Sequence, residues 1–234
     1  MFHFKKFSID DSMAAMKIGT DAVLLGAWAP CSTETRILDI GTGSGILALM
    51  MAERNAGVPV DAGEIDNEAA AIAVLNANLS PWHNSIEIIN TSLQLFTTGK
   101  TACYSLVICN PPFFTNSLKA PDAARNTARH NDSLPVNELL CITSQLLNEN
   151  GKAAFILPAA DADNWLAVAA GCNLHLSHRT LVRSYPDREP HRALLSFCPT
   201  PQTAISENEF CIYSSRNTYS TLYKELTRDF YLKF

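Results

Sequence analysis

From Arg36 to Asn55 the chain reads RILDIGTGSGILALMMAERN. A short apolar run ends in glycines at alternate positions, Gly41, Gly43 and Gly45, and passes at once into a strongly apolar segment. The run Arg36 to Ile40 reads as a buried strand. Ile46, Leu47, Leu49, Met50 and Met51 read as the core-facing residues of a buried helix. Glycine lets a backbone turn tightly and approach a ligand closely. A strand, a glycine turn and a buried helix in direct succession constrain the chain to an α/β architecture.

The alternation continues. VPVDAGEI (Val58 to Ile65) reads as a second strand, and Asp66 as the N-cap of the helix NEAAAIAVLNANL. SIEIIN and YSLVICN are the third and fourth strands. A long polar stretch, Thr115 to Ser133, follows, and a loop of that length in a compact domain is usually functional or disordered. VNELLCITSQLLNENG reads as an amphipathic helix stopped by Gly151. KAAFILP is a fifth strand and DADNWLAVAAG a fifth helix. LHLSHRTLVRS and HRALLSFCP leave no room for a crossover helix and are expected to form an antiparallel pair at one sheet edge. TYSTLYKELTRDFYLKF is expected to form a terminal helix. The expected fold is a Rossmann-like, doubly wound, mostly parallel sheet with an antiparallel C-terminal hairpin and helices on both faces. Residues 1–234 are expected to form a single domain, with segment 1–34 covering the ligand side.

Composition narrows the class. The chain has 234 residues, 47% hydrophobic and 18% charged, which suits a sizeable core and excludes global disorder. The formal net charge of -5 argues against nonspecific coating of nucleic acid. No apolar run reaches the ~18 residues of a membrane span, and the start lacks the apolar stretch of a signal peptide. The seven cysteines include no C-x-x-C. Cys103, Cys109, Cys141, Cys172, Cys198 and Cys211 are expected to be reduced core thiols of a cytoplasmic protein. The six histidines make no H-x-x-x-H and join no carboxylate cluster, so no metal site is expected.

Doubly wound folds bind ligands beyond the carboxyl ends of their strands. That brings together the turn after Ile40, the strand end at Glu64 and the tetrad Asn110-Pro111-Pro112-Phe113. The glycine turn lacks the third glycine of the dinucleotide fingerprint, because Ile46 stands there. Glu64 lies about 20 residues beyond that turn, a spacing at which a carboxylate can accept hydrogen bonds from ribose hydroxyls, with Ile65 beside an adenine face. The tetrad suits a flat, amino-bearing target. An exocyclic adenine amine is a poor nucleophile because its lone pair is delocalised into the ring. The side-chain oxygen of Asn110 and the carbonyl of Pro111 can accept its hydrogens. The prolines stiffen the turn, and Phe113 offers a stacking face for a flipped base.

The turn G-x-G-x-G after an acidic strand residue resembles the cofactor loop of S-adenosylmethionine-dependent methyltransferases, and NPPF resembles the N/D-P-P-Y/F motif of the amino-methyltransferases. With MKIGTDAVLLGAWA, ARHNDSL, PHRALLSF and LTRDFYLKF, the chain resembles, over nearly its whole length, the bacterial tRNA(Val) adenosine-37 N6-methyltransferase family. The resemblance implies S-adenosylmethionine as methyl donor and tRNA as substrate. It implies that Asp39, Gly41, Gly43, Gly45, Glu64 and Ile65 line the cofactor, that Asn110 to Phe113 hold the base, and that Lys17 and Thr20, beside Asp21, cover the methionine end. Ser92, followed by the Leu93 amide, stands where the family pattern leads one to expect an acidic residue on the cofactor's adenine amine.

An acidic chain can still present a basic rim. Arg179, Arg183, Arg188 and Arg192 cluster late in the chain, and Arg129 lies in the long loop after the tetrad. They are candidates for phosphate contact, against the plainer reading of a charged sheet edge. A ribosomal RNA adenine or a protein glutamine remains an alternative methyl acceptor. A nucleotide-binding oxidoreductase is a second class, disfavoured by Ile46 and by the tetrad. A monomer is the simplest assembly.

Overall fold

The structure is a computed structural model that describes residues 1–11, 18–31, 35–112 and 134–234. Lys17, Phe113, Arg129 and the stretch Thr115 to Ser133 lie outside the described residues.

The chain opens with a small antiparallel ribbon, β1 (Phe2–His3) and β2 (Ser8–Ile9), then α1 (Thr20–Trp28). The αβ alternation follows: β3 (Ile37–Ile40), α2 (Ile46–Arg54), β4 (Val60–Glu64), α3 (Asn67–Asn78), β5 (Ile86–Asn90), α4 (Leu93–Phe96) and β6 (Tyr104–Cys109). Then come α5 (Val136–Leu146), β7 (Leu147–Pro158), α6 (Ala162–Gly171), β8 (His175–Arg183), β9 (Arg192–Cys198), β10 (Ser206–Cys211), the ribbon β11 (Tyr213–Ser215) and β12 (Thr218–Tyr219), and α7 (Thr221–Thr227). The eight-stranded sheet has the order β10-β8-β9-β7-β6-β3-β4-β5, and β9 alone runs against the others.

Successive strand residues point to opposite faces, so each central strand feeds two cores. Ile37, Leu106, Ile108, Ala154 and Ile156 pack on the side of α1 and α2. Leu38, Val107, Phe155 and Leu157 pack on the side of α5 and α6. The expected doubly wound sheet with helices on both faces is therefore found. Asp66 caps α3 as expected, its carboxylate accepting the Ala69 N–H at 2.8 Å. On the opposite end of the sheet, the Asp61 carboxylate accepts from Arg36 Nε at 3.0 Å and from the Tyr104 hydroxyl at 2.5 Å, which satisfies an acid buried in the sheet.

Three expectations are corrected. Gly151 does not stop a helix. α5 ends at Leu146, and Leu147 to Gly151 open β7 through an irregular register beside Tyr104. Gly151 is instead required for close approach, since a Cβ there would lie 2.9 Å from the Tyr104 carbonyl oxygen and 3.0 Å from that of Asn148. The β8–β9 pair is antiparallel but is not the sheet edge. SENEFC forms a parallel strand outside β8, and its first four side chains are polar and exposed, with no apolar alternation to reveal it. Cys141 and Cys172 form a disulfide between α5 and α6 and are not free thiols, and Cys103 is exposed. The disulfide ties α5 to the residue that ends α6, a proximity set by packing across 31 residues of chain. No helix among the described residues is long and apolar enough to cross a membrane.

Candidate active site

The chain leaves β3 on one side for β4 and β5, then returns to the other side of β3 for β6. At that reversal the helices diverge and open a crevice beyond the carboxyl ends of the strands. Register sets what meets there. Ile40 is paired with Gly63 on one side and with Cys109 on the other. The next residues, Gly41, Glu64 and Asn110, therefore stand in one row along the edge. A cleft of about 850 Å³ opens above them, and Gly41, Gly43, Glu64, Ile65, Asn110 and Pro111 line it. Pro112 and Leu93 line it too.

The glycine loop has a specific construction. Gly41, Gly43 and Gly45 have φ of 69°, 58° and 88°, a region that costs L residues about 1 kcal/mol or more. A Cβ on Gly41 or Gly43 would meet no atom of the described residues within 4 Å, so both present bare backbone. Gly45 differs. It caps α2 and sits against α3, with Ala73 3.5 Å from where its Cβ would lie. Its expected place on the cofactor becomes one of helix packing. The Gly63 carbonyl accepts from the amides of Gly41 and Thr42 at 2.9 and 3.0 Å. Glu64 Oε2 accepts from the Gly43 amide at 2.8 Å and Oε1 from the Asp66 amide at 3.0 Å. The Glu64 carboxylate thus spans from its own strand to the loop.

Asp39 faces away from the cleft, because it alternates with Leu38 and Ile40, which line it. Fully buried, its Oδ2 accepts from the Thr42 hydroxyl at 2.5 Å and the Ala48 amide at 3.1 Å. The expected lining residue is thus a clamp beneath the loop. Burial pushes its carboxyl up to about 7, against the two donors that hold it down, and the Glu64 charge adds to the rise. Burial also raises the Cys109 thiol well above its ordinary range, with Asp39 and Glu64 contributing.

Asn110 leads the tetrad out of β6. Its Oδ1 is buried and has no hydrogen-bond partner among the described residues, an acceptor that a bound donor would satisfy. Ser92 does not line the cleft. Its hydroxyl accepts from the Leu95 amide and caps α4, which explains a serine at that position. Leu93, Thr91 and Gln94 reach the cleft instead. Thr20 is also placed elsewhere. It lines a separate aromatic pocket beyond α1.

The arginines divide. Arg179 pairs with Glu207 at 2.8 Å, Arg183 with Glu209, and Arg192 with Asp21 at 2.8 Å. The first two tie the polar edge strand β10 to β8, so the plainer reading of a charged sheet edge describes them. Arg188 is exposed and has no side-chain partner among the described residues. One residue was not foreseen. Asn76, buried on α3, accepts from the Asp10 amide at 2.9 Å and donates to the Ser44 carbonyl at 2.9 Å. It joins the N-terminal segment to the glycine loop. Its only sequence signal is a polar residue on the inner face of an alanine-rich helix. The described residues contain no group of three or more His, Cys, Asp or Glu able to hold a metal ion.

A Rossmann-like sheet with a glycine loop and an Asn-Pro-Pro turn at its reversal defines a methyltransferase. In agreement, residues 12–155 match the family model of the methyltransferase small domain. The fold is similar to that of a predicted O-methyltransferase from Agrobacterium tumefaciens, with TM-score 0.72 and 17% identity over 90% of this chain and 96% of that one. It is also similar to the ribosomal protein L11 methylase of Lactobacillus delbrueckii subsp. bulgaricus, with TM-score 0.51 and 20% identity over 75% of each chain. Sequence relatives are closer. The tRNA1(Val) (adenine(37)-N6)-methyltransferase of Bacteroides fragilis is 43% identical, covering 99% of this chain and 98% of the relative. The protein of the same name from Aeromonas hydrophila subsp. hydrophila is 41% identical, covering 99% and 97%. The chain belongs to the tRNA1(Val) (adenine(37)-N6)-methyltransferase family.

Proposed function

We propose that the chain transfers a methyl group from S-adenosylmethionine to the exocyclic N6 amine of adenosine 37 in tRNA(Val). The observation that carries this reading is the register of β3 against β6. It sets the bare backbone of Gly41 beside Asn110, whose buried side-chain oxygen lacks a partner among the described residues.

The residues present fit the methyl donor. Gly41 and Gly43 leave room for it to approach the backbone, Glu64 offers carboxylate lone pairs to ribose hydroxyls, and Ile65, 58% exposed, offers an apolar surface to adenine. When bound, S-adenosylmethionine supplies an electrophilic methyl group. Asn110 Oδ1 and the Pro111 carbonyl accept the two N6 hydrogens, which keeps the nitrogen lone pair out of the ring and aims it across the crevice. Pro111 and Pro112 fix the backbone that holds those acceptors. Phe113 is assigned the stacking face by its place in the motif. Residues 1–234 then act as one domain and one subunit, in the cytoplasm where tRNA is found. The tie from Asn76 to Asp10 supports the placing of the N-terminal segment over the glycine loop.

The test is transfer of labelled methyl to total tRNA from a strain lacking the modification, read by nucleoside mass spectrometry. N6-methyladenosine in valine tRNA is the expected product. Unlabelled tRNA with labelled ribosomal RNA or protein glutamine would reassign the acceptor.

A further inference from the structure

One carboxylate of the cleft has no task in the function proposed above. Glu138 lies in the first turn of α5, is half-buried and lines the cleft with Leu93 and Gln94. Its Oε1 accepts from Gln94 Nε2 at 2.8 Å. Its Oε2 has no partner among the described residues. A glutamate at this helix position commonly accepts the amide of the N-cap residue. Here the N-cap is Pro135, which has no N–H to give. The other carboxylates that line the cleft are committed or lie elsewhere. Glu64 holds the Gly43 and Asp66 amides, and Asp66 caps α3. Asp161 stands beyond the end of β7, on the opposite side of β3 from β5.

The sheet shows which end of the cleft Glu138 serves. β3, β4 and β5 are successive neighbours, with about 4.8 Å between adjacent strands. Gly41 follows β3, Glu64 ends β4 and Thr91 follows β5. The Thr91 amide donates to the Glu64 carbonyl at 2.9 Å. The Asn90 side chain donates to the same carbonyl at 2.9 Å and to that of Ile65 at 3.4 Å. The turn into α4 is therefore fastened to Glu64 and Ile65, the residues offered above to ribose and adenine. Gln94, in α4, then holds Glu138 at that end, although α5 follows β6 in the chain.

We infer that Glu138, held by Gln94, reads the amino group of the cofactor's adenine. The inference rests on the placing of ribose and adenine proposed above. The amine of adenine is carried on the ring remote from the sugar. With ribose at Glu64 and the base on Ile65, the next polar groups along the row are those of Gln94 and Glu138. Glu138 Oε2 accepts one amine hydrogen, while the bond to Gln94 fixes the carboxylate through its other oxygen. Ser92 supplies no acceptor there, because its hydroxyl caps α4. A site built to hydrogen-bond an N–H discriminates against a ligand that lacks it, so Glu138 is a specificity determinant for the methyl donor.

The probes are S-adenosylhomocysteine and its analogue with purine in place of adenine, which lacks only the amine. Calorimetry on the cofactor-free protein gives the ratio of their affinities. Wild type is expected to prefer S-adenosylhomocysteine about tenfold, the size of one hydrogen bond to a charged group. Glu138→Ala is expected to bring the ratio to within about twofold of unity by weakening S-adenosylhomocysteine alone. A merely structural role for Glu138 would weaken both ligands alike and preserve the ratio, which would overturn the inference. A ratio near unity in wild type would overturn it as well, and needs no variant. Either result leaves the proposed function standing where wild type still methylates tRNA. Wild type that binds neither ligand would overturn both.

Discussion

Glu64 reaches from the end of β4 to accept the Gly43 amide at 2.8 Å, so one carboxylate holds the glycine loop in place. Removal of that acceptor frees the loop and the ribose contact together. Glu64→Ala is expected to weaken S-adenosylmethionine binding about 10- to 100-fold, the size of a lost hydrogen bond to a charged group. Calorimetry measures it. Affinity within twofold of wild type would exclude Glu64 from both tasks.

Asn110 acts on the acceptor and not on the donor. Asn110→Ala is expected to lower kcat about 100-fold or more, as loss of a positioned polar group does elsewhere, with cofactor affinity retained. Unchanged turnover would eliminate the proposed alignment of the amine.

Asp39 makes stability depend on pH. Its carboxyl titrates at about 7 in the folded chain and at about 3.9 when unfolded. The folded state therefore binds more protons across that window. Stability falls as pH rises from the unfolded value through the folded one, by about 4 kcal/mol in total. Asp39→Asn has no such dependence. Its urea-unfolding free energy relative to wild type is expected to grow between pH 4 and 7 and then level off, both proteins being free of cofactor. A flat difference would contradict the burial cost.

Gly151→Ala would set a methyl group 2.9 Å from the Tyr104 carbonyl and 3.0 Å from that of Asn148. Both obstacles are backbone and have little freedom to move. A loss of about 1–3 kcal/mol is expected, read from denaturant melts. Wild-type stability would show that the entry to β7 yields.

Arg188 is the one arginine of its group with an exposed head and no described side-chain partner. Arg188→Gln is expected to weaken RNA binding and to reduce the slope of log affinity against log salt by about 1. An identical slope would place the RNA backbone elsewhere.

What was legible in the sequence has a local cause. Strand and helix periods, the Asp66 cap and the glycine turn each depend on a few adjacent residues, and each is found. β10 is not legible in the sequence because an edge strand needs no apolar alternation. It is defined by its ladder with β8 and by the ion pairs of Glu207 with Arg179 and Glu209 with Arg183, all between residues distant in sequence. Those arginines looked the same in the sequence whether they faced RNA or an acidic neighbour. Ser92 stood at a position expected to hold an acidic residue, and only the geometry of α4 reveals it as a cap.

The sequence by itself determined an αβ sheet, its glycine turn and the Asn-Pro-Pro-Phe tetrad, because period, conformational freedom and ring constraint are properties of short segments. The tertiary structure decided which face each residue serves. Asp39 lies under the loop because it alternates with Leu38 and Ile40, and Glu64 meets the loop because it stands at the carboxyl end of β4. Gly41 and Asn110 are adjacent because β3 and β6 pair in one particular register. Register is a property of two strands together, and no single segment encodes it.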